Sequence, residues 1–382
     1  MKRIQFLAAS DRLNYGDLLF PLITKQVLEE QISCNFQNYA LVRSNLSKFG
    51  ALPTKNYREL EKDNTEHSII IIGGGHVIFP SWNALYGHIS STYLKTKKVL
   101  LLNYFYSFFN IPRRFFTKSK TPSPFAPYHL KGRLVYLSVG GNYNSYRSNK
   151  NIIGMLANTS ILSVRDNMLF DQLNNAGYSV DKVPDTATII SKIYHKKELK
   201  TKLSSAFSFD INHKFIIVQL GLYKGPIEVK KFIADINILK EKGYRVVCMP
   251  IGLAADHEDD KVLQSLLKIE PSWNYYRPNN IYEIMYLINF ASYFFGTSLH
   301  GCITAFAYNT PFIPLNKKVK KLNNYTKTWW SEFIKESIDY SSLGDYIKKD
   351  LKNWDSVKAE RILERNQKLV FNTYMKLIRI LD

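Results

Sequence analysis

The stretch "YFFGTSLHGCITAFAYNTPFI", residues 293–313, decides the fold. Aromatic residues run into Gly296, the hydroxyls of Thr297 and Ser298 follow, and an apolar run with helical spacing begins at Leu299. The pattern reads as a strand at 293–295, a helix at 299–308 and a second strand at 312–315. Two short strands joined by a helix form the crossover unit of a parallel sheet.

The same alternation continues upstream. Strands are expected at 215–220, 244–250 and 273–276, with helices at 229–242, 259–268 and 281–289. In the first half, strands are expected at 4–8, 68–72, 99–102, 134–139 and 161–165, with helical patterns at 20–31 and 168–176. Short β-rich apolar runs alternating with helices predict a parallel sheet covered on both faces. Two such units in tandem, with a polar hinge near 196–214, predict an α/β protein of two Rossmann-like domains facing a cleft. Ligands of such sheets bind beyond the carboxyl ends of the strands. The expected division is residues 1–195, 196–345 and a C-terminal helical segment, 346–382, that packs back; its amphipathic pattern covers 355–381.

A length of 382 residues fits two domains. Apolar runs break well before the roughly 20 residues a membrane span needs. The opening "MKRIQFLAASDR" reads as a first buried strand rather than a signal peptide. Cys34, Cys248 and Cys302 show no metal-binding spacing and cannot all pair, which suits a reducing, cytoplasmic setting. The net charge of +20 predicts an anionic partner. Zinc-finger spacing and RNA-binding signatures are absent from the sequence, so a membrane surface and a phosphorylated substrate are expected rather than nucleic acid. Residues 103–130 crowd aromatics with Arg113, Arg114, Lys118 and Lys120. This segment reads either as a loop suited to an anionic membrane or as an insertion folded over its own domain.

Several residues could carry chemistry. Thr297 or Ser298 is the natural N-cap of the helix from Leu299. His300 then lies in the first turn, where N–H groups and the helix dipole attract anions. It reads either as a capping histidine or as one that gains a proton when an anion binds and donates it in reaction. Arg165 ends a strand, with Asp166 placed to cap the next helix. Its guanidinium can grip a carboxylate or phosphate, or pair with Asp166. Glycine turns follow three strands: "NYGD" (Asn14 to Asp17), Gly73, Gly74 and Gly75 in "IIIIGGG", and "SVGGN" ending at Asn142. None matches a dinucleotide fingerprint or a P-loop. The acidic run "DHEDD" at 256–260 reads as a helix start favoured by the dipole, and no metal site is expected.

Taken together, "NYGD", "IIIIGGG", "SVRDN", "VPDTA" and above all "FGTSLHGCITAFAYNTPFI" followed by "NKKV" resemble the polysaccharide pyruvyl transferase family. The resemblance extends from about residue 14 to residue 319. It implies a glycosyltransferase-B-like fold and transfer of a pyruvyl group from phosphoenolpyruvate to a sugar of a bacterial surface polysaccharide, such as a capsule, or its lipid-linked precursor. The product would be a cyclic ketal. Phosphoenolpyruvate is the donor substrate, and no cofactor is implied. By motif position the donor residues fall on Arg165, Ser298, Leu299, His300 and Lys318, with Lys317 or Lys320 as alternatives to Lys318. Acceptor contacts fall on Asn14, Asp17, Gly74, Gly75 and Asn142. Asp17 is the candidate to orient or deprotonate the acceptor hydroxyl. Many members carry Arg-Leu-His where this chain has Ser298-Leu299-His300. The implied location is the cytoplasm, at the inner face of the membrane. The alternative is a nucleotide-sugar-dependent glycosyltransferase on the same architecture, with Asp256 or Glu258 at the nucleoside.

Overall fold

The β-rich apolar runs become the strands of two parallel sheets. The computed structural model describes every residue except 91, 94, 96–110, 256, 350 and 382. The expected strand at 99–102 lies outside the described residues. The chain divides into two units. The first holds Met1–Thr186, residues 254–256 and Leu369–Asp382; the second holds Ala187–Leu253 and His257–Lys368.

In unit 1 the strands are β1 (Lys2–Leu7), β2 (Cys34–Tyr39), β3 (Ser68–Gly73), β4 (His76–Ile78), β5 (Arg133–Gly141), β6 (Ile161–Val164) and β7 (Asp181–Lys182). Their order is β2-β1-β3-β5-β6-β7, with β4 beside β5. Every pairing is parallel, and Leu7, Ile72, Tyr136 and Leu162 lie in register across four strands. The carboxyl ends of β1, β3, β5 and β6 therefore share one edge of the sheet. The central strand β3, "SIIIIG", is buried at every position, as a strand covered on both faces must be. The edge strand β2, "CNFQNY", is half-exposed and carries no apolar run, so the sequence pattern did not announce it. The helix Tyr15–Gln31 follows β1 directly.

Residues 111–130 fold over unit 1. Phe116 stacks on Trp82 at 6.2 Å, and the Trp82 indole N–H donates to the Thr121 carbonyl at 2.9 Å. The Tyr136 hydroxyl donates to the Phe125 carbonyl at 2.6 Å. Phe115 alone of the phenylalanines in 111–130 stays exposed, at 67%. Residues 103–110 of the aromatic and basic segment lie outside the described residues.

Unit 2 carries β8 (Phe215–Gln219), β9 (Arg245–Cys248), β10 (Asn274–Tyr275), β11 (Tyr293–Gly296) and β12 (Phe312–Pro314), in the order β10-β9-β8-β11-β12, all parallel. Helices Val229–Glu241, Asp259–Ile269, Ile281–Phe290 and Leu299–Ala307 follow the expected alternation. A further helix, Lys320–Trp329, was not anticipated; its sequence "KKLNNYTKTW" is polar overall, and it buries one narrow face made of Leu322, Tyr325, Thr326 and Trp329. The C-terminal helix Ser356–Leu381 is divided between the units. Gln367 donates to the Thr188 carbonyl within unit 2, and the Tyr374 hydroxyl bonds that of Thr24 within unit 1. Among the described residues no helix is long and apolar enough to cross a membrane.

Candidate functional site

In unit 2 the site begins where β11 ends. A Cβ on Gly296 would lie 2.4 Å from the buried Phe294 ring, so any larger residue at the end of this strand would have to displace that ring. Ser298 is the N-cap of the helix Leu299–Ala307: its hydroxyl accepts from the Gly301 N–H at 3.4 Å. Thr297 takes a different role, its hydroxyl accepting from the Gly221 N–H at 2.8 Å. His300 occupies the first helical turn and is buried, 7% exposed. The turn thus presents an imidazole at the positive end of a helix dipole, where an anion is favoured.

A chain of buried polar groups fixes this turn. The Ser298 N–H donates to Gln219 Oε1 at 2.9 Å. The Gln219 amide donates to Asp259 Oδ2 at 2.8 Å. The same oxygen accepts from the N–H groups of Ile251 (3.2 Å) and Gly252 (2.9 Å). Asp259 is 3% exposed, and burial pushes its carboxyl up to about 6. The opposing pull of the Gln219 amide, the two backbone N–H groups and the Lys224 charge is smaller. Asp259 does stand in the first turn of the helix Asp259–Ile269, as the acidic run led one to expect, but it is buried. Three donors, 7 to 40 residues away in sequence, draw the carboxylate inward.

The loop after β12 carries the three candidate lysines. The Lys317 ammonium pairs with Glu336 at 2.6 Å. Lys318 is exposed, and its N–H donates to Asn316 Oδ1 at 3.0 Å. Lys320 is exposed as well, at the start of the helix that follows. Because β12 is the neighbour of β11, this loop leaves the same edge of the sheet as the His300 turn.

In unit 1 the motif residues gather at the carboxyl edge. Asn14 is the N-cap residue of the helix Tyr15–Gln31, and its amide donates to Asp17 Oδ2 at 2.7 Å. Gly74 and Gly75 both have left-handed backbone, φ +65° and +72°. A Cβ on Gly74 would meet the Phe20 ring at 2.1 Å, and one on Gly75 would lie 3.5 Å from Asp17 Oδ1. Left-handed backbone favours glycine at both positions, and Gly75 lies beside the Asp17 carboxylate. Asn142 is exposed, with its side-chain oxygen accepting from the Asn144 N–H at 3.0 Å.

Arg165 is buried and pairs with Asp185, not with its neighbour. Arg165 Nη1 lies 2.5 Å from Asp185 Oδ2, and the two side chains are 3% and 0% exposed. Asp166 instead caps the helix Asn167–Asn174 by accepting from the Leu169 N–H at 3.0 Å. The guanidinium lies over Gly140: a Cβ there would be 2.8 Å from Arg165 Nε. Ser138, buried with φ +52°, turns its hydroxyl to the Pro184 carbonyl at 2.6 Å. "SVGGN", "SVRDN" and "VPDTA" are therefore one assembly. Asp185, Ser138 and Gly140 had no assigned role in the sequence; the signal that could have found Asp185 is an acid following Pro184 just beyond a short strand.

Among the described residues no group of histidine, cysteine and acidic side chains is arranged to hold a metal ion.

A family model described as polysaccharide pyruvyl transferase matches residues 14–317. No curated protein matches the chain in sequence. Among solved structures, a UDP-GlcNAc 2-epimerase from Neisseria meningitidis, bound to UDP-GlcNAc, is similar at a TM-score of 0.55 and 11% identity, covering 99% of this chain and 100% of that one. The UDP-GlcNAc 2-epimerase of Methanocaldococcus jannaschii is similar at 0.55 and 14%, covering 95% and 99%. The MnaA–UDP structure from S. aureus is similar at 0.53 and 11%, covering 97% and 91%. At these identities the likeness concerns the fold, a glycosyltransferase-B-like pair of parallel sheets.

Proposed function

The chain belongs to the polysaccharide pyruvyl transferase family, an enzyme family, and on that premise we propose that it transfers the pyruvyl group of phosphoenolpyruvate to a sugar. The acceptor is a bacterial surface polysaccharide or its lipid-linked precursor, and the product is a cyclic ketal. The observation that carries this reading is His300, buried in the first turn of the helix Leu299–Ala307 on a turn fixed by Ser298, Gln219 and Asp259.

The chemistry divides into two additions. A proton on the methylene carbon of the enol makes it a methyl group and leaves the adjacent carbon electron-poor. One sugar hydroxyl adds there and gives up its proton. Phosphate leaves with its bonding electrons, the second hydroxyl adds, and its proton is lost as the ring closes. His300 is the acid for the first step. The N–H groups of its turn and the Lys318 ammonium stabilise the phosphate as its charge grows. On unit 1, the Arg165 guanidinium is the clamp for a carboxylate or phosphate oxygen, oriented by Asp185. Asp17, held by Asn14, orients and deprotonates the acceptor hydroxyl, and the bare backbone of Gly74 and Gly75 lets the sugar approach. The net charge of +20 suits an acceptor carried on an anionic membrane at the inner face.

The test is phosphate release from phosphoenolpyruvate with a panel of lipid-linked oligosaccharides, followed by mass analysis of the glycan. Release together with the pyruvyl mass gain supports the assignment. Consumption of a UDP-sugar with no reaction of phosphoenolpyruvate replaces it with the glycosyltransferase reading.

A further inference from the structure

We infer that Lys224 is a donor-binding cation of unit 2, contacting a phosphate or carboxylate oxygen of the donor; the inference rests on the pyruvyl-transfer reading above. Lys224 lies on the loop "GLYKG" that leaves the carboxyl end of β8. Strand β8 is the neighbour of β11, so this loop emerges beside the His300 turn.

Both diagnostic segments of the unit grip this loop. Thr297, three residues before His300, accepts from the Gly221 N–H at 2.8 Å. Asn316, at the head of "NKKV" and held at φ +71°, donates its side-chain N–H to the Lys224 carbonyl at 3.1 Å. The Tyr340 hydroxyl donates to the same carbonyl at 2.6 Å. Within the loop, the Lys224 N–H closes a tight turn on the Gly221 carbonyl at 3.0 Å. Tyr223 takes φ +63° to make that turn, and the residue is 76% exposed, so packing of its side chain does not explain the strained backbone.

The turn folds the lysine back onto Gly221. The place a Cβ would occupy on Gly221 is 3.1 Å from Lys224 Cδ and 3.2 Å from its Nζ. The same point is 3.5 Å from Asp259 Oδ1. Glycine at 221 thus makes room for the half-buried Lys224 side chain beside the carboxylate that anchors Gln219 and the His300 turn. Ser298 is uncharged and is occupied as a helix cap. Lys224 supplies a cation to that edge from the neighbouring strand.

The competing role for Lys224 is counter-charge to Asp259 alone, and the two roles separate by measurement. Phosphoenolpyruvate binding by calorimetry, its kcat and KM in phosphate release, and thermal unfolding are compared for the full chain and for K224M, K224R and G221A. The expected result is a loss of affinity of about ten- to hundredfold in K224M, the range for a hydrogen bond to a charged group. K224R restores most of it, and kcat changes less than KM. G221A, which displaces the ammonium without removing it, falls between wild type and K224M with little change in melting temperature. The inference is overturned if K224M binds phosphoenolpyruvate like wild type. It is equally overturned if the loss follows a fall in melting temperature that K224R does not correct. A wild-type chain that binds no phosphoenolpyruvate removes the donor reading itself, a result distinct from either.

Discussion

Replacing Asp259 with asparagine should change how stability depends on pH. The carboxyl is 3% exposed and pushed up to about 6 from 3.8, mainly by burial. A carboxyl raised in the folded state favours folding fully below its unfolded value and loses that contribution as pH rises through the folded one. A rise from 3.8 to about 6 corresponds to about 3 kcal/mol over the whole titration. Of this, about 1.4 kcal/mol falls between about pH 5 and about pH 8. Asparagine does not titrate. All three donors, Gln219, Ile251 and Gly252, bond the one oxygen Oδ2, so an amide oxygen there keeps every bond. The new NH2 replaces Oδ1, which faces Gly221 and Lys224. That exchange adds an offset that does not vary with pH in this window. The stability of wild type relative to D259N should therefore fall by about 1.4 kcal/mol from about pH 5 to about pH 8. Urea unfolding followed by tryptophan fluorescence reads it, because Trp273, Trp329, Trp330 and Trp354 all lie in unit 2 with Asp259. Subtracting one protein from the other cancels the remaining titrations. A difference that stays constant within about 0.5 kcal/mol across the window would refute the argument that burial dominates this carboxyl.

Three further outcomes follow from the site. Asp185→Ala leaves the Arg165 guanidinium buried without its partner and should cost about 3–5 kcal/mol in chemical unfolding. Combining it with Arg165→Leu should cost less than the sum of the two single changes, and strict additivity would contradict the pairing. His300→Gln should lower phosphate release about 10²–10⁴-fold while phosphoenolpyruvate still binds; an unchanged rate excludes it as the acid. Asp17→Asn should lower turnover at least about tenfold with acceptor binding retained, and near-normal turnover would exclude Asp17 as base.

Much of the fold was legible because strand and helix periods are local. The run from Tyr293 to Ile313 alone specified strand, cap, helix and strand, and the structure places β11, the helix Leu299–Ala307 and β12 there. Strand β2 escaped notice because an edge strand need not be apolar. The His300 turn was legible for the same local reason: an N-cap hydroxyl and the residues that follow it are set by neighbours in sequence.

The sequence by itself determined which residues stand at the carboxyl ends of the strands, since that depends only on where each apolar run stops. Only the tertiary structure decided what those residues do there. It gave Arg165 to Asp185 rather than to the adjacent Asp166, because β7 runs beside β6 and delivers the chain beyond it to the same edge. It buried Asp259 against Gln219 and made Ser298 the end of that chain of bonds. It folded Lys224 over Gly221. Each of these pairings beyond the Lys224 turn joins residues 20 to 79 positions apart. Charges and donors at such separations meet only after the sheet is ordered, and burial then fixes their strength.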